Sequence, residues 1–271
     1  MEELVLKWTV SLICFGTFVS TLEYLSLSKD LANETMMSWD ILSLRKTRFE
    51  LPGIRRVLNH LFEFPNIKRF LLFRAAIALA TIEAVWWLGS EWHVHLLLIT
   101  NLFLHGIFTQ RFPIGAEGSD QVASLVFGAL SLCMFLDDKA LAVRLAAIFI
   151  CGQLCLAYLT SGVAKAVSRS WRNGSALTGI MSTDSYGSVL VYGLIVDRKW
   201  LAVLLSLSII SYQLAAPFMF FSTPEIAPYF FAAGLLFHLS TAVFMGLGCF
   251  FWNFAAMYPS SVYCSYLVLQ N

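Results

Sequence analysis

The sequence predicts an all-α bundle of membrane-spanning helices, with about seven or eight spans. Three observations lead to this fold class: hydrophobic residues make up 58% of the chain, charged residues make up only 13%, and the mean hydropathy is +0.72. A soluble domain carries about 25% charged residues, so this chain would expose too much apolar surface in water. Inside a bilayer each segment must satisfy its own backbone hydrogen bonds, which favours helices.

Seven stretches of the chain are candidates for the roughly 20 apolar residues that a helix needs to cross the hydrocarbon. The run 186–196 is too short and is expected to be a half-helix or an in-plane segment. The last stretch is too long for an upright helix, so it must tilt, protrude or bend near Gly246 and Gly248. The seven stretches are 4–28, 69–90, 93–110, 119–136, 140–163, 200–222 and 226–257.

The length and charge of the chain limit the classes of protein to which it can belong. Because the spans occupy most of the 271 residues, we expect a single transmembrane domain over 1–271. The net charge of +1 gives no indication of a nucleic-acid partner. The six cysteines lie in apolar runs with neither a C-x-x-C nor a zinc spacing, so no metal site is expected.

The longest connection, 29–68, contains a basic amphipathic surface segment at 41–68. Pro52 is expected to open a short helix there, and Pro65 to close it. Apolar residues follow at helical spacing, so the segment is predicted to lie on the membrane with its basic residues towards the headgroups. The apolar residues are Ile54, Leu58, Leu61 and Phe62; the basic ones are Arg45, Lys46, Arg48, Arg55, Arg56, Lys68 and, just beyond, Arg69.

The positive charge of this connection favours the cytoplasmic side of the membrane. Four predicted spans separate it from the basic loop 165–172, so both loops are expected on one side. Two glycosylation sequons, at Asn33 and Asn173, would matter only if that side faced a secretory lumen.

Ionisable side chains within the predicted spans are few, because they are costly in hydrocarbon. Arg74 and Arg144 lie near helix starts and are expected to reach the headgroups. His238 is the deepest, and a single buried histidine is more often a hydrogen-bonded structural residue than a catalyst. The sequence contains no H-E-x-x-H, G-x-S-x-G or P-loop motif.

The stretch 152–174 is the most informative part of the sequence. An apolar helix ends there in small residues, presents Lys165, and continues into an aromatic and glycine turn. Gly162 permits close backbone approach. A desolvated lysine favours its neutral form, which can act as a base. An interfacial lysine that anchors the helix end is the more ordinary explanation of the same spacing.

Two blocks of residues, one from Tyr158 to Gly174 and one from Phe237 to Pro259, have a spacing that resembles the HTTM family, the membrane domain of vitamin K-dependent γ-glutamyl carboxylases and their bacterial relatives. The resemblance implies that Lys165 is the base that deprotonates a reduced quinone, and it makes His238 a second catalytic candidate. The first block, Tyr-x3-Gly-x2-Lys-x5-Trp-x2-Gly, consists of Tyr158, Gly162, Lys165, Trp171 and Gly174. The second block, at the C-terminal end, contains Phe237, His238, Gly248, Phe250, Trp252, Ala256 and Pro259.

The chain departs from the carboxylase pattern at several points. Ala164 stands where the carboxylases have the first lysine of a pair, and Trp171 is one residue further along. The sequence 118–121, with Asp120 and Gln121, stands in place of an Asn-Asn-His motif. The large soluble domain of the animal enzyme has no counterpart in these residues. The chain therefore more closely resembles short bacterial HTTM proteins, such as the membrane component of the sporulation-delaying toxin operon, which is thought to help mature a secreted peptide.

Together these observations predict an HTTM-like maturation or modification factor in a bacterial plasma membrane. It would act on a secreted peptide precursor, a lipid-like quinone or both, in contact with membrane lipid and an operon-encoded partner. The alternative is a non-catalytic membrane partner that holds or escorts a peptide or a sister subunit. We expect Lys165 and His238 to open onto one cavity. Asp120, Gln121, Tyr158 and Gly162 would contribute to substrate binding, and Trp171 and Gly174 would shape the mouth.

Overall fold

The computed structural model of the chain is helical throughout the part that it describes, which contains no strand. The described residues are 1–32, 35, 37–44, 52–88, 91–112, 118–133, 135–221 and 225–269. Among them, 6 helices are long and apolar enough to cross a membrane, which is the pattern of an integral membrane protein. The all-α prediction is confirmed at this level, and the count of seven or eight spans stays a prediction.

The chain divides into two compact units. The N-terminal unit is Leu6–Val143, and the C-terminal unit combines Met1–Val5 with Arg144–Asn271. In the N-terminal unit, helix α4 packs against α5 and α5 against α6. The helices of this unit, in chain order, are α1 (Glu2–Ser26, shared with the other unit), α2 (Trp39–Leu42), α3 (Pro52–Phe62), α4 (Asn66–Leu88), α5 (Trp92–Arg111), α6 (Gly118–Cys133) and the start of α7 (Lys139–Val167).

Helix α6 is shorter than the span predicted at 119–136. Its 16 residues rise about 24 Å at 1.5 Å per residue, whereas the hydrocarbon is about 30 Å thick. Over its described residues, α6 is therefore not among the helices long enough to cross.

Helix α3 begins at the predicted Pro52, and its apolar residues serve two different purposes. Phe62 is fully buried, and Leu58 and Leu61 pack against the core cluster of the N-terminal unit. Ile54 and Val57 remain 40% and 65% exposed. Much of the predicted lipid-facing stripe therefore holds α3 to its own unit. The basic residues Arg45, Lys46 and Arg48 lie outside the described residues.

Two arginines of the N-terminal unit are buried. Arg74 is 2% exposed and Arg111 is fully buried, so the expectation that Arg74 reaches the headgroups is wrong. Arg74 donates to the Thr21 hydroxyl and lies 3.9 Å from the centre of the Phe108 ring. Arg111 donates to the Met37 carbonyl over 2.6 Å. Hydrogen bonds and aromatic faces thus compensate part of the lost hydration of these guanidiniums.

The C-terminal unit contains the polar residues of both family-like blocks. Of the three alternatives expected for the last stretch, the structure shows a break near Gly246: α12 ends there, and the φ of 70° lies in the left-handed region that glycine adopts without strain. The remaining helices are α8 (Arg169–Arg172), α9 (Ser175–Met181), α10 (Val189–Ile195), α11 (Lys199–Ala215), a 3₁₀ helix (Ala216–Phe221), α12 (Ala227–Met245), α13 (Gly248–Ala255) and α14 (Tyr258–Leu269).

Candidate functional site

A cavity of about 180 Å³ lies inside the C-terminal unit. Lys165 and His238 both line it, so the structure brings together these two sequence-predicted residues. Their catalytic roles stay predictions. The complete lining is Ala157, Tyr158, Ser161, Lys165, Gln213, Phe237, His238, Thr241, Leu247, Phe250 and Phe254.

Lys165 lies in the last turn of α7 and is half-buried. Its ammonium donates a hydrogen bond to the hydroxyl of Ser161, one helical turn earlier on the same face. The nitrogen also lies 5.1 Å from the centre of the Trp171 ring, an arrangement that attracts a cation. The side chain is therefore held at the cavity and does not extend into bulk solvent.

His238 lies in the middle of α12 and is 3% exposed. Its ring stacks on Phe254 at 4.1 Å between centres. The Nε2 atom is 2.9 Å from the hydroxyl of Tyr158, whereas Nδ1 has no hydrogen-bond partner within the described part of the chain. A buried polar atom without a partner costs about 1–3 kcal/mol, so the described packing leaves part of the cost of burying this imidazole uncompensated.

Three tyrosine hydroxyls surround the other side of this histidine. The hydroxyls of Tyr158 and Tyr258 are 2.7 Å apart, and that of Tyr212 donates to the backbone carbonyl of Phe230 over 3.4 Å. They fit because position 234 is glycine: an added Cβ would overlap the hydroxyls of Tyr258 and Tyr212. Burial raises the pKa of the Tyr258 phenol, which keeps it protonated and able to donate.

Gln213 on α11 is a cavity residue that the sequence analysis missed. It is 4% exposed, and its Oε1 has no hydrogen-bond partner among the described residues. Gly162 of α7 allows the close approach, since a Cβ there would be 3.1 Å from the Cβ of Gln213 and from the backbone nitrogen of Leu214. Gly162 thus acts through packing and does not line the cavity.

The structure places Gly174 at a second cavity of about 360 Å³ between α9, α10 and α11. Gly174 has a φ of 79°, and a Cβ would be 2.8 Å from the backbone of Ala202, so both conformation and packing require glycine. Trp171 contacts Lys165 but is not a wall of the first cavity. Of the two residues expected at the mouth, only Trp171 is therefore near Lys165.

Asp120 and Gln121 belong to the N-terminal unit, in the first turn of α6. The backbone carbonyl of Asp120 accepts a hydrogen bond from Nε2 of His105 over 3.0 Å. The side chain of Gln121 is exposed. Their predicted part in substrate binding stays a prediction.

Within the described residues, no group of three or more histidine, cysteine, aspartate or glutamate side chains could hold a metal ion. The candidate site is thus defined by an amine, an imidazole, an amide and hydroxyls. These groups can exchange protons and hydrogen bonds with a ligand.

Of the site residues that were not predicted, Gln213 had a recognisable signal in the sequence. Gln213 is a polar residue inside the predicted span 200–222, and intramembrane polar residues mark functional sites. Tyr212 and Tyr258 had none, because a tyrosine in or beside an apolar helix is ordinarily read as an interface or core aromatic.

Comparisons with protein-family models, with curated proteins and with solved structures find no match to this chain.

Proposed function

We propose that this chain is an HTTM-like integral membrane protein that modifies or helps to mature a secreted peptide, using Lys165 as a base on a ligand in the cavity. The observation that carries the proposal is that Lys165 and His238, one from each family-like block, line the same cavity. An interfacial anchor would not require a buried histidine, a buried glutamine and a hydrogen-bonded serine around the same space.

The cavity volume indicates the size of the group that enters. An apolar cavity of about 150 Å³ holds one benzene molecule, so about 180 Å³ accommodates one substituted ring or one peptide side chain. Phe237, Phe250 and Phe254 provide aromatic walls for such a group. A reduced quinone fits this lining, and when bound it would supply an acidic ring hydroxyl.

The residues around Lys165 suit proton abstraction. The lone pair of a neutral Nζ takes a proton from an acidic hydroxyl, and the ligand keeps the electron pair. The resulting ammonium lies over the face of Trp171 and donates to Ser161, so its charge is stabilised where it forms. The anion left on the ligand remains beside that ammonium.

The setting that we propose is a bacterial plasma membrane, with an operon-encoded partner protein and a secreted peptide precursor. Support for it comes from the six long apolar helices and from the resemblance to the short bacterial HTTM proteins. The positive charge of the connections 41–69 and 165–172 favours the cytoplasmic face for both.

The test replaces Lys165 by methionine, which has a similar length and no charge. Cells would express the gene together with its chromosomal neighbours, and mass spectrometry would measure the secreted peptides. We expect Lys165→Met to abolish the mature product while the protein still inserts into the membrane. The matched control is Lys139→Met at the other end of α7, where the lysine donates to the Leu136 carbonyl and does not line the cavity; it should leave the product unchanged.

The alternative function makes the opposite prediction. A non-catalytic partner that holds or escorts a peptide tolerates Lys165→Met, so a normal yield of mature product would reject the proposed base. Depletion of membrane quinone separates the two ligand classes. Loss of product that added quinone restores supports a quinone, and an unaffected product supports direct action on the peptide.

A further inference from the structure

The second cavity, of about 360 Å³, lies in the connection between two helices that are long enough to cross the membrane. Helix α7 ends at Val167 and α11 begins at Lys199. The helices between them, α8, α9 and α10, have at most 7 residues each and rise no more than about 10 Å. None of the three can cross, so the connection 168–198 and its cavity lie at one face of the membrane, near the lipid headgroups.

The polar side chains of this cavity include three unused hydrogen-bond donors. The Lys199 ammonium and the Tyr192 hydroxyl both line the cavity and have no partner among the described residues. The side-chain oxygen of Asn173 accepts from the backbone N–H of Ser175 over 3.0 Å, which leaves the NH₂ group of this amide unused. A phosphate oxygen accepts from all three kinds of donor, and its negative charge pairs with the ammonium.

The serine and threonine hydroxyls of the cavity have the opposite character. Those of Ser175, Thr178 and Ser182 each donate to a backbone carbonyl, over 3.3, 3.2 and 2.8 Å. Each oxygen keeps a lone pair and can still accept a hydrogen bond. The lining therefore suits a ligand that combines an anionic phosphate with hydroxyl groups, as a glycerol headgroup does.

The outer face of α10 is apolar and exposed. Val189, Leu190 and Leu194 all lie on it, and Val189 is 91% exposed. The opposite face of the same helix carries Tyr192 to the cavity. Beyond it, Trp200 at the start of α11 is also exposed, as is typical of tryptophan at the membrane interface. Acyl chains would cover this apolar face, whereas a soluble phosphate compound would leave it uncovered.

The charge of the segment 168–199 favours an anionic lipid over a zwitterionic one. Its basic residues outnumber its acidic ones by four to two. Lys199 is the basic residue that lines the cavity, whereas Arg172 and Arg198 donate to backbone carbonyls. Basic pockets beside membrane-spanning helices on the cytoplasmic side are typical sites for anionic headgroups.

We infer that the second cavity binds the headgroup of an anionic glycerophospholipid, with the acyl chains along the exposed face of α10. Lys199 pairs with the phosphate, Asn173 and Tyr192 donate to its oxygens, and the serine and threonine hydroxyls accept from the glycerol. The volume of about 360 Å³ is roughly twice that of a cavity that holds benzene, which leaves room for a phosphate and a glycerol. The inference does not depend on Lys165 or on the first cavity.

Native mass spectrometry of the full chain tests the preference for an anionic lipid. The protein is reconstituted in vesicles with equal amounts of phosphatidylglycerol and phosphatidylcholine and extracted in a mild detergent, and the lipids that stay bound are counted. We expect the wild-type protein to retain phosphatidylglycerol in preference to phosphatidylcholine. Lys199→Gln should reduce this preference about tenfold, since it removes the charged donor.

The matched control is Arg198→Gln, which removes the same charge one residue earlier. The Arg198 side chain donates to the Leu194 carbonyl and does not line the cavity, so the preference should remain as in the wild type. An equal loss in both variants would show a diffuse attraction to the basic surface and would overturn the cavity site. An undiminished preference in Lys199→Gln would overturn it as well.

A competition experiment separates a lipid from a soluble phosphate compound. Glycerophosphoglycerol is the headgroup of phosphatidylglycerol without acyl chains, and dihexanoyl phosphatidylglycerol carries two short chains. We expect the dihexanoyl lipid to displace bound phosphatidylglycerol at a concentration at least about tenfold lower, because each buried methylene adds to its affinity. Equal potency of the two competitors would assign the cavity to a soluble phosphate compound and refute the lipid.

Discussion

At the residue scale, His238 shows how a polar side chain is accommodated in an apolar helix. One ring face stacks on Phe254, and Nε2 meets the Tyr158 hydroxyl. Of the two ring nitrogens of His238, Nδ1 is the one without a hydrogen-bond partner in the described part of the structure. The same arrangement occurs at His105, whose Nε2 bonds the Asp120 carbonyl while its Nδ1 has no partner among the described residues.

Gly234 offers a sharp test of the network, because the Tyr212 and Tyr258 hydroxyls occupy the space of its missing side chain. We expect Gly234→Ala to displace both hydroxyls and to lower the free energy of unfolding by about 1–3 kcal/mol, the range for overpacked interiors. Reversible unfolding in mixed micelles would measure the change.

The control for this variant is Gly152→Ala on α7, where an added Cβ meets nothing within 4 Å. It should leave the stability unchanged or slightly raise it, because alanine is the better helix former. A Gly234→Ala protein as stable as the wild type would show that the tyrosine hydroxyls are not held as described.

The sequence predicted some of these residues and missed others for a physical reason. Lys165 and His238 were found because an ionisable group in an apolar helix is costly and therefore conspicuous. Tyr158 was found only through the family-like spacing. Tyr258 and Gly234 were missed, because a phenol and a glycine in apolar surroundings each have common structural explanations.

At the element scale, helix α3 combines packing and exposure on one amphipathic surface. Apolar spacing predicted the helix, and proline predicted its start. The spacing did not predict which apolar residues of α3 pack and which stay exposed, because this depends on the neighbours that cover Leu58, Leu61 and Phe62. Ile54 and Val57 are left exposed, next to Arg55 and Arg56, as in a helix that rests on lipid headgroups.

Cysteine labelling tests whether α3 lies on the membrane. We expect Ile54→Cys and Val57→Cys to react several-fold more slowly with a water-soluble maleimide than Arg56→Cys, because the lipid interface covers the first two positions. Addition of detergent should remove most of the difference. Equal and rapid labelling at all three positions in intact membranes would show that α3 is a solvated segment.

The bounds of the described helices also differ from those of the predicted spans at two places. The predicted last span, 226–257, combines α12 and α13, which the left-handed Gly246 separates. Gly246 and Gly248 indicated a possible bend there in the sequence. The end of α6 carried no such signal, because the apolar residues of the predicted stretch continue past Cys133.

At the scale of the whole molecule, the sides of the membrane on which the two basic connections lie depend on whether α6 crosses the bilayer. Among the described residues between the connections 41–69 and 165–172, three helices are long enough to span. Helix α6 is the fourth only if its 16 described residues cross. Four crossings put both connections on one side, and three put them on opposite sides. Local bilayer thinning lets a short helix cross at modest cost, and both connections are basic, so we predict one side.

Impermeant thiol reagents can measure this sidedness. Arg56→Cys and Arg169→Cys are exposed positions in the two connections, and we expect the reagent to modify both from the same face of sealed vesicles. Permeabilised vesicles provide the control for total reactivity. Modification of the two positions from opposite faces would remove α6 from the spans.

A single titration tests whether one ligand contacts both Lys165 and His238. Protein labelled with nitrogen-15 at lysine and histidine, in nanodiscs, is titrated with 4-fluorophenol while the Lys165 Nζ and His238 Nδ1 signals are followed. We expect both signals to shift and to saturate along one binding curve. A shift of only one signal, or two curves with different midpoints, would contradict it.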